Sequence, residues 1–173
     1  MTQAKPLLQG LPPLLDAHTR LLVLGSFPGV ASLRAQQYYG HPQNQFWKIM
    51  ATLLSAQPTE VMVMTYVDRA KWLLNHGVGL WDVYASCARE GSLDADIQNA
   101  RPNDFQSLVT RCPALVAIAH NGGESFKHAK FTRALGVPVY RLPSTSPANA
   151  SWSFERKREV WREVFQAAGL LCR

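Results

Sequence analysis

Apolar residues fall into two kinds of run along this chain. One kind is short and continuous: Leu21–Leu24 (LLVL), Val78–Val83 (VGLWDV), Leu115–Ala119 (LVAIA) and Val137–Arg141 (VPVYR). Such runs suit strands covered on both faces, as in a parallel sheet. The proline in the last run favours an edge position. The other kind recurs with helical spacing. Phe46, Ile49, Met50, Leu53 and Leu54 stand at i, i+3, i+4, i+7 and i+8, an amphipathic helix over Phe46–Leu54. Thr65–His76 reads as a second helix, stopped by Gly77, where left-handed backbone is wanted. Asp104–Thr110 is a short helix. Phe154–Ala168 is a strong one, with Val160, Trp161, Val164, Phe165 and Ala168 on one face. Another helix starts at Asn121-Gly122-Gly123-Glu124, where an amide N-cap and a nearby acidic residue resemble a capping box.

Two segments lack a clear period. Met1–Asp16 reads as a proline-interrupted entry with a short helix after Pro13. Tyr84–Pro102 reads as a polar surface loop, long enough to carry function. Strands alternating with helices predict an α/β fold: a three-layer α/β/α sandwich with a small, mostly parallel central sheet, residues 1–173 forming one domain.

Composition narrows the class. Of 173 residues 47% are hydrophobic and 17% charged, which excludes a disordered chain. No apolar stretch approaches the ~20 residues needed to span a bilayer. Pro6, Pro12 and Pro13 make the N-terminal segment a poor signal peptide, so a cytoplasmic protein is expected. Lys and Arg outnumber Asp and Glu by 18 to 12, which permits a polyanionic partner without requiring one. Cys87, Cys112 and Cys172 are too widely spaced for a metal clip and read as reduced packing residues. The five histidines form no HxH or HExxH pattern, so no metal is expected.

Three polar segments follow strand ends: Gly25–Asn44, Asp82–Ala100 and Leu142–Trp152. In a parallel sheet those ends share one edge, so the three segments converge on one crevice. None carries GxGxxG or GxxxxGK[ST], which argues against dinucleotides and nucleoside triphosphates. The first segment holds an aromatic pair, Tyr38-Tyr39, and then His41-Pro42-Gln43-Asn44 at a helix start, an arrangement suited to something flat.

Taken together, GSFPG…YYGHPQNQFW, LWDVYASCAREGSLD and LPSTSPAN resemble the uracil-DNA glycosylase superfamily, and within it the hypoxanthine-DNA (deoxyinosine) glycosylase branch. The resemblance runs from about Leu21 to the last helix. It implies a monofunctional enzyme of base-excision repair that cuts the N-glycosidic bond of a deaminated base and leaves an abasic site. Hypoxanthine is the implied base, with uracil or xanthine as further options. No cofactor is implied; the partner is DNA, and a nucleoid-associated monomer is expected. Two positions depart from better-known branches. Phe27 stands where an acid or amide usually positions water, and Ser144 where His or Asn usually stands. The deoxyinosine branch is thought to use the asparagine of its HPxN segment, which here is Asn44.

The resemblance assigns the remaining roles. Asn44 orients the attacking water through its carbonyl, with a plain helix cap as the bland alternative. Tyr39 stacks on the extruded base and Phe27 walls the pocket, with Ser144 beside them. Asp82 meets the base edge, since a carboxylate accepts from hypoxanthine N1–H or uracil N3–H. Asn121 reads as a cap rather than a base contact. Ser144, Thr145, Ser146, Pro147, Ala148 and Asn149 form the loop that meets DNA, its hydroxyls and N–H groups being good phosphate ligands. The wedge position falls on Ala148, small for holding a duplex open, so Asn149 or Trp152 compensates or the enzyme relies on weakly paired bases. Arg156, Lys157 and Arg158 are placed to track the backbone. No lysine accompanies these motifs as a Schiff-base nucleophile, so no lyase activity is expected. The competing readings are a uracil or G:U/T mismatch-specific glycosylase, a non-catalytic DNA-binding module of the same fold, and a nucleoside hydrolase.

Overall fold

The computed structural model describes residues 3–172. At its centre lie four parallel strands: β2 (Leu21–Gly25), β3 (Val78–Asp82), β6 (Ala117–Asn121) and β7 (Val139–Leu142), in the order β3-β2-β6-β7. β7 lies at an edge of the sheet, with Pro138 immediately before its first residue. Alternation along each strand splits the apolar side chains between two faces. Leu21, Val23, Val78, Leu80, Ala117 and Ala119 join one core with Phe46, Trp47, Ile49, Met50, Leu53, Leu73, Trp161 and Phe165. These come from α2 (Phe46–Leu54), α4 (Tyr66–Asn75) and α8 (Phe154–Ala167), the helices that carry the strongest stripes in the sequence.

The opposite face carries Leu22, Leu24, Trp81 and Ile118, packed on Phe105, Leu108 and Cys112. Leu108 belongs to α5 (Leu108–Arg111). Two short helices, α6 (Gly123–Phe126) and α7 (Ala129–Arg133), are locked to this face by His120. Its Nδ1 lies 2.8 Å from Ser125 Oγ and its Nε2 2.8 Å from Thr132 Oγ1. Burial holds this imidazole neutral, its pKa lowered to about 4.

Several expectations need correction. Tyr84–Pro102 is not one loop. It contains β4 (Tyr84–Ala88) and β5 (Gln98–Pro102), which join β1 (Leu7–Gln9) in a small antiparallel sheet of order β1-β4-β5. The entry segment therefore begins with a strand, and residues 13–16 form no helix: Leu14 bridges to Leu80 instead. The helix expected at Asn121 starts at Gly123, capped by Gly122, whose φ of 98° suits glycine, and Asn121 is the last residue of β6. The segment after β2 holds a short helix, α1 (Val30–Ala35), and α3 (Pro58–Met62) precedes α4. Cys87 and Cys112 are buried as expected, but Cys172 is exposed.

Candidate active site

All four central strands end at one edge, and the cleft lies there. It encloses about 350 Å³ between the turn after β2, the Ser92–Asp94 segment, Asn121 and the Ser144–Asn149 loop, at the low end of the ~300–1,000 Å³ that ligand pockets span. Each wall is set by packing below it. Trp47 Nε1 donates to the Tyr38 carbonyl (3.0 Å), which fixes the aromatic pair from beneath. Trp161 Nε1 donates to the Pro143 carbonyl (3.1 Å) and anchors the start of the opposite loop. The Gln45 N–H donates to the Thr145 carbonyl at 3.1 Å, so the entry to α2 and the second loop move as one.

Phe27, Tyr39, Asn44, Asp82 and Ser144 all line this cleft, as do Ser146, Pro147, Ala148 and Asn149. Tyr39 stacks on Phe46 (centroids 4.1 Å apart, planes 26° apart) and adopts a positive φ of 55°. A non-glycine residue held there indicates local strain in the cleft wall. Its hydroxyl accepts from Asn121 Nδ2 at 3.1 Å. Burial and the nearby Asp82 push the phenol pKa up, so it stays protonated.

Asn44 is half-buried on the rim. Its Oδ1 accepts from the Phe46 N–H at 3.0 Å. The capping role and the pocket position thus coincide, and the cap fixes the carboxamide while a second lone pair on the carbonyl stays free.

Asp82 is 5% exposed, and its Oδ2 has no hydrogen-bond partner within the protein. Gly25 pairs with it across the sheet, and a Cβ at Gly25 would meet Asp82 Oδ1 at 2.5 Å. A glycine there leaves the carboxyl its room. Burial raises its pKa to about 7, the charge of Asp94 adding to the effect and that of Arg89 opposing it. Arg89 is itself 3% exposed: its Nη2 donates to the Pro28 carbonyl, while Nε and Nη1 lack partners.

Sequence reasoning missed three features here. Asn121 is a network centre rather than a cap, 8% exposed; its Nδ2 also donates to Thr145 Oγ1 (3.0 Å), and its Oδ1 accepts from the Thr145 N–H (3.1 Å). Its place at the end of a strand, level with Gly25 and Asp82, was the signal available. Arg89 and Asp94 were hidden in the stretch read as loop; Asp94 Oδ1 accepts from Ser26 Oγ at 2.6 Å and ties that stretch to the cleft floor. The third feature is Leu93, 54% exposed at the mouth.

The DNA-facing loop also departs from expectation. Thr145 is fully buried and bonded to Asn121, so its hydroxyl cannot reach a phosphate. Ser144 Oγ and Ser146 Oγ accept from the N–H groups of Ser146 and Ala148 (3.1 and 3.2 Å), which shapes the turn. Asn149 Nδ2 is bound to the Ser144 carbonyl (3.1 Å), and the Arg156 guanidinium lies 3.7 Å over the Trp152 ring, so neither side chain is a free wedge. Lys157 is buried and does not track a backbone; Arg156 remains exposed.

Among the described residues, no group of three or more His, Cys, Asp or Glu side chains is arranged to hold a metal ion, and no helix is long and apolar enough to cross a membrane.

Comparison with known proteins converges on one family. The model of the uracil DNA glycosylase superfamily matches residues 12–165. A hypoxanthine DNA glycosylase from Methanosarcina acetivorans is 37% identical over 158 residues, 91% of this chain and 98% of that protein. The Methanosarcina barkeri hypoxanthine DNA glycosylase is 35% identical over the same shares. A solution NMR structure of a candidate uracil DNA glycosylase from M. acetivorans superposes with a TM-score of 0.83 at 35% identity, covering 95% of this chain and 99% of that one.

Proposed function

The chain belongs to the uracil DNA glycosylase superfamily, and from that premise we propose that it is a DNA-deoxyinosine glycosylase, hydrolysing the N-glycosidic bond of hypoxanthine in DNA. Uracil and xanthine are secondary substrates. The observation that carries this reading is the meeting of Asn44, Tyr39 and Asp82 in one cleft at the strand ends.

A base extruded from the helix lies against Tyr39, whose ring is backed by Phe46, with Phe27 forming the apolar wall. Its hydrogen-bonding edge meets Asp82. As the glycosidic bond lengthens, the sugar gains oxocarbenium character and the base gains negative charge. Asn44 places water at the anomeric carbon by accepting a hydrogen bond from it. A carboxamide orients without removing the proton, so turnover is slow. Among the described residues none that lines the cleft is a lysine, and the reading is hydrolysis without strand cleavage. The hydroxyls of Ser144 and Ser146 approach the phosphates, since the N–H groups of Thr145, Ser146, Ala148 and Asn149 are bonded within the protein. The enzyme acts as a single-domain monomer among the DNA of the nucleoid.

The test is direct. Labelled oligonucleotides carrying deoxyinosine, deoxyuridine or deoxyxanthosine are incubated with the protein, and abasic sites are counted after alkali. Hypoxanthine release at the highest rate is expected. Binding without release of any base would favour a DNA-binding module instead.

A further inference from the structure

We propose that Arg89 supplies the positive potential against which the excised base departs, acting as a positioning residue from behind the Phe27–Pro28 wall of the cleft. The inference rests on the glycosylase reading and concerns the leaving group, for which that reading names no partner. Hydrolysis breaks the bond between C1′ and the base nitrogen, and its electron pair leaves with the base. The water oxygen bonds C1′, and a water proton ends on the released base. Until that proton arrives the base carries negative charge.

The lining of the cleft is poorly matched to such a charge. Asp82 and Asp94 both border it, and among the described residues none that lines it is a lysine or an arginine. His41 is exposed on the rim, where its Nδ1 accepts from the Gln43 N–H at 3.1 Å. The buried cation stands one layer back. Arg89 follows directly on β4 and is 3% exposed. Its guanidinium lies 5.3 Å from the centre of the Phe27 ring, and its Nη2 donates to the Pro28 carbonyl. Phe27 and Pro28 both face the cleft.

A clamp on the Pro28 carbonyl does not account for this side chain. A neutral donor would serve there, whereas a guanidinium carries a charge that is expensive to bury. Nε and Nη1 are buried without partners, and none of the ion pairs among the described residues includes Arg89. Its charge is therefore not taken up by a bonded carboxylate. It reaches the cleft all the same, where it opposes the upward pKa shifts of Asp82 and Asp94. A fixed charge in a water-poor wall acts with little screening and needs no reorganisation as the bond breaks.

The test separates charge from clamp. Arg89→Gln keeps an N–H donor for Pro28 and removes the charge; Arg89→Lys keeps the charge. Arg89→Met removes the charge without adding a buried polar group, and decides the matter if the glutamine variant does not fold. Each is compared with the native protein in single-turnover release of hypoxanthine from a deoxyinosine duplex. Affinity for the same duplex carrying non-hydrolysable 2′-fluoro-arabino inosine is read by fluorescence anisotropy, and urea unfolding reports folding. Both neutral variants should slow release by about tenfold with unchanged affinity, less than the ~10²–10³ of a donor in direct contact because the guanidinium acts through the wall. Arg89→Lys should recover most of the native rate. Release at the native rate by a folded neutral variant overturns the proposal. So does an equal loss in the lysine and neutral variants, which assigns Arg89 to the shape of the turn, or a loss confined to affinity. The native protein is scored first: no hypoxanthine release there is failure of the glycosylase reading, whereas native release with unaffected neutral variants is failure of this inference alone.

Discussion

Asn121→Ala removes the side chain that joins three walls of the cleft, and its cost can be worked from the bonds lost. Asn121 Nδ2 donates to Tyr39 and Thr145, and Oδ1 accepts from the Thr145 N–H. The two hydroxyls lose a donor but can still serve as donors elsewhere, so each loss is worth about 0.5–1.5 kcal/mol. The Thr145 N–H is left unsatisfied inside the protein, at about 1–3 kcal/mol. The total is roughly 2–6 kcal/mol of folding stability, a large share of what a domain of this size has. Tyr39→Phe isolates one of the three bonds, keeps the stack on Phe46 and should cost only about 1 kcal/mol. Urea unfolding followed by tryptophan fluorescence measures both variants. The double variant should lose less than the sum, because the Asn121–Tyr39 bond is counted in each. Unfolding of Asn121→Ala at the native midpoint would refute the network.

Other predictions follow from the same geometry. Asp82 has its folded pKa raised from 3.8 to about 7. Its favourable contribution is present at low pH and lost as pH rises through 7, which leaves the ionised form roughly 4 kcal/mol less stable. Asp82→Asn should therefore raise the urea midpoint at pH 8 with little change at pH 4, while losing base selectivity; equal midpoints at pH 8 would contradict the buried charge. His120 has its folded pKa lowered from 6.5 to about 4, so its contribution falls away as pH drops between those values, and His120→Gln should flatten that acid limb of the stability profile. Leu93→Ala should slow hypoxanthine release from duplex DNA about tenfold while leaving single strands unaffected, because Leu93 is a bulky exposed apolar side chain at the mouth and Ala148 is small. Equal loss on both substrates would assign Leu93 to the pocket rather than to opening the duplex.

The parallel sheet was legible because β2, β3 and β6 begin with continuous apolar runs, and α2, α4 and α8 because their stripes are long enough to fix the period. Tyr84–Ala88 escaped notice for the opposite reason. Its sequence, YASCA, has little hydrophobic contrast; its partner β1 lies at the far N-terminal end of the chain, and its partner β5, QNARP, is polar. Lys157 illustrates a related limit: it sits among Arg156 and Arg158 on the sequence, yet helix rotation turns it inward. The location of the cleft was readable from three strand ends alone. The Asn121 network was not, since a capping motif and a strand end compete for the same asparagine and only the register of β6 decides between them.

The most direct trial of the mechanism is the single-turnover rate of hypoxanthine release by Asn44→Ala from a deoxyinosine duplex, with circular dichroism showing that the variant is folded. Loss of the helix-capping bond should cost about 1 kcal/mol of stability, whereas loss of the water-orienting carbonyl should slow release by at least about 100-fold. A folded variant that releases hypoxanthine at the native rate would contradict the role given to Asn44.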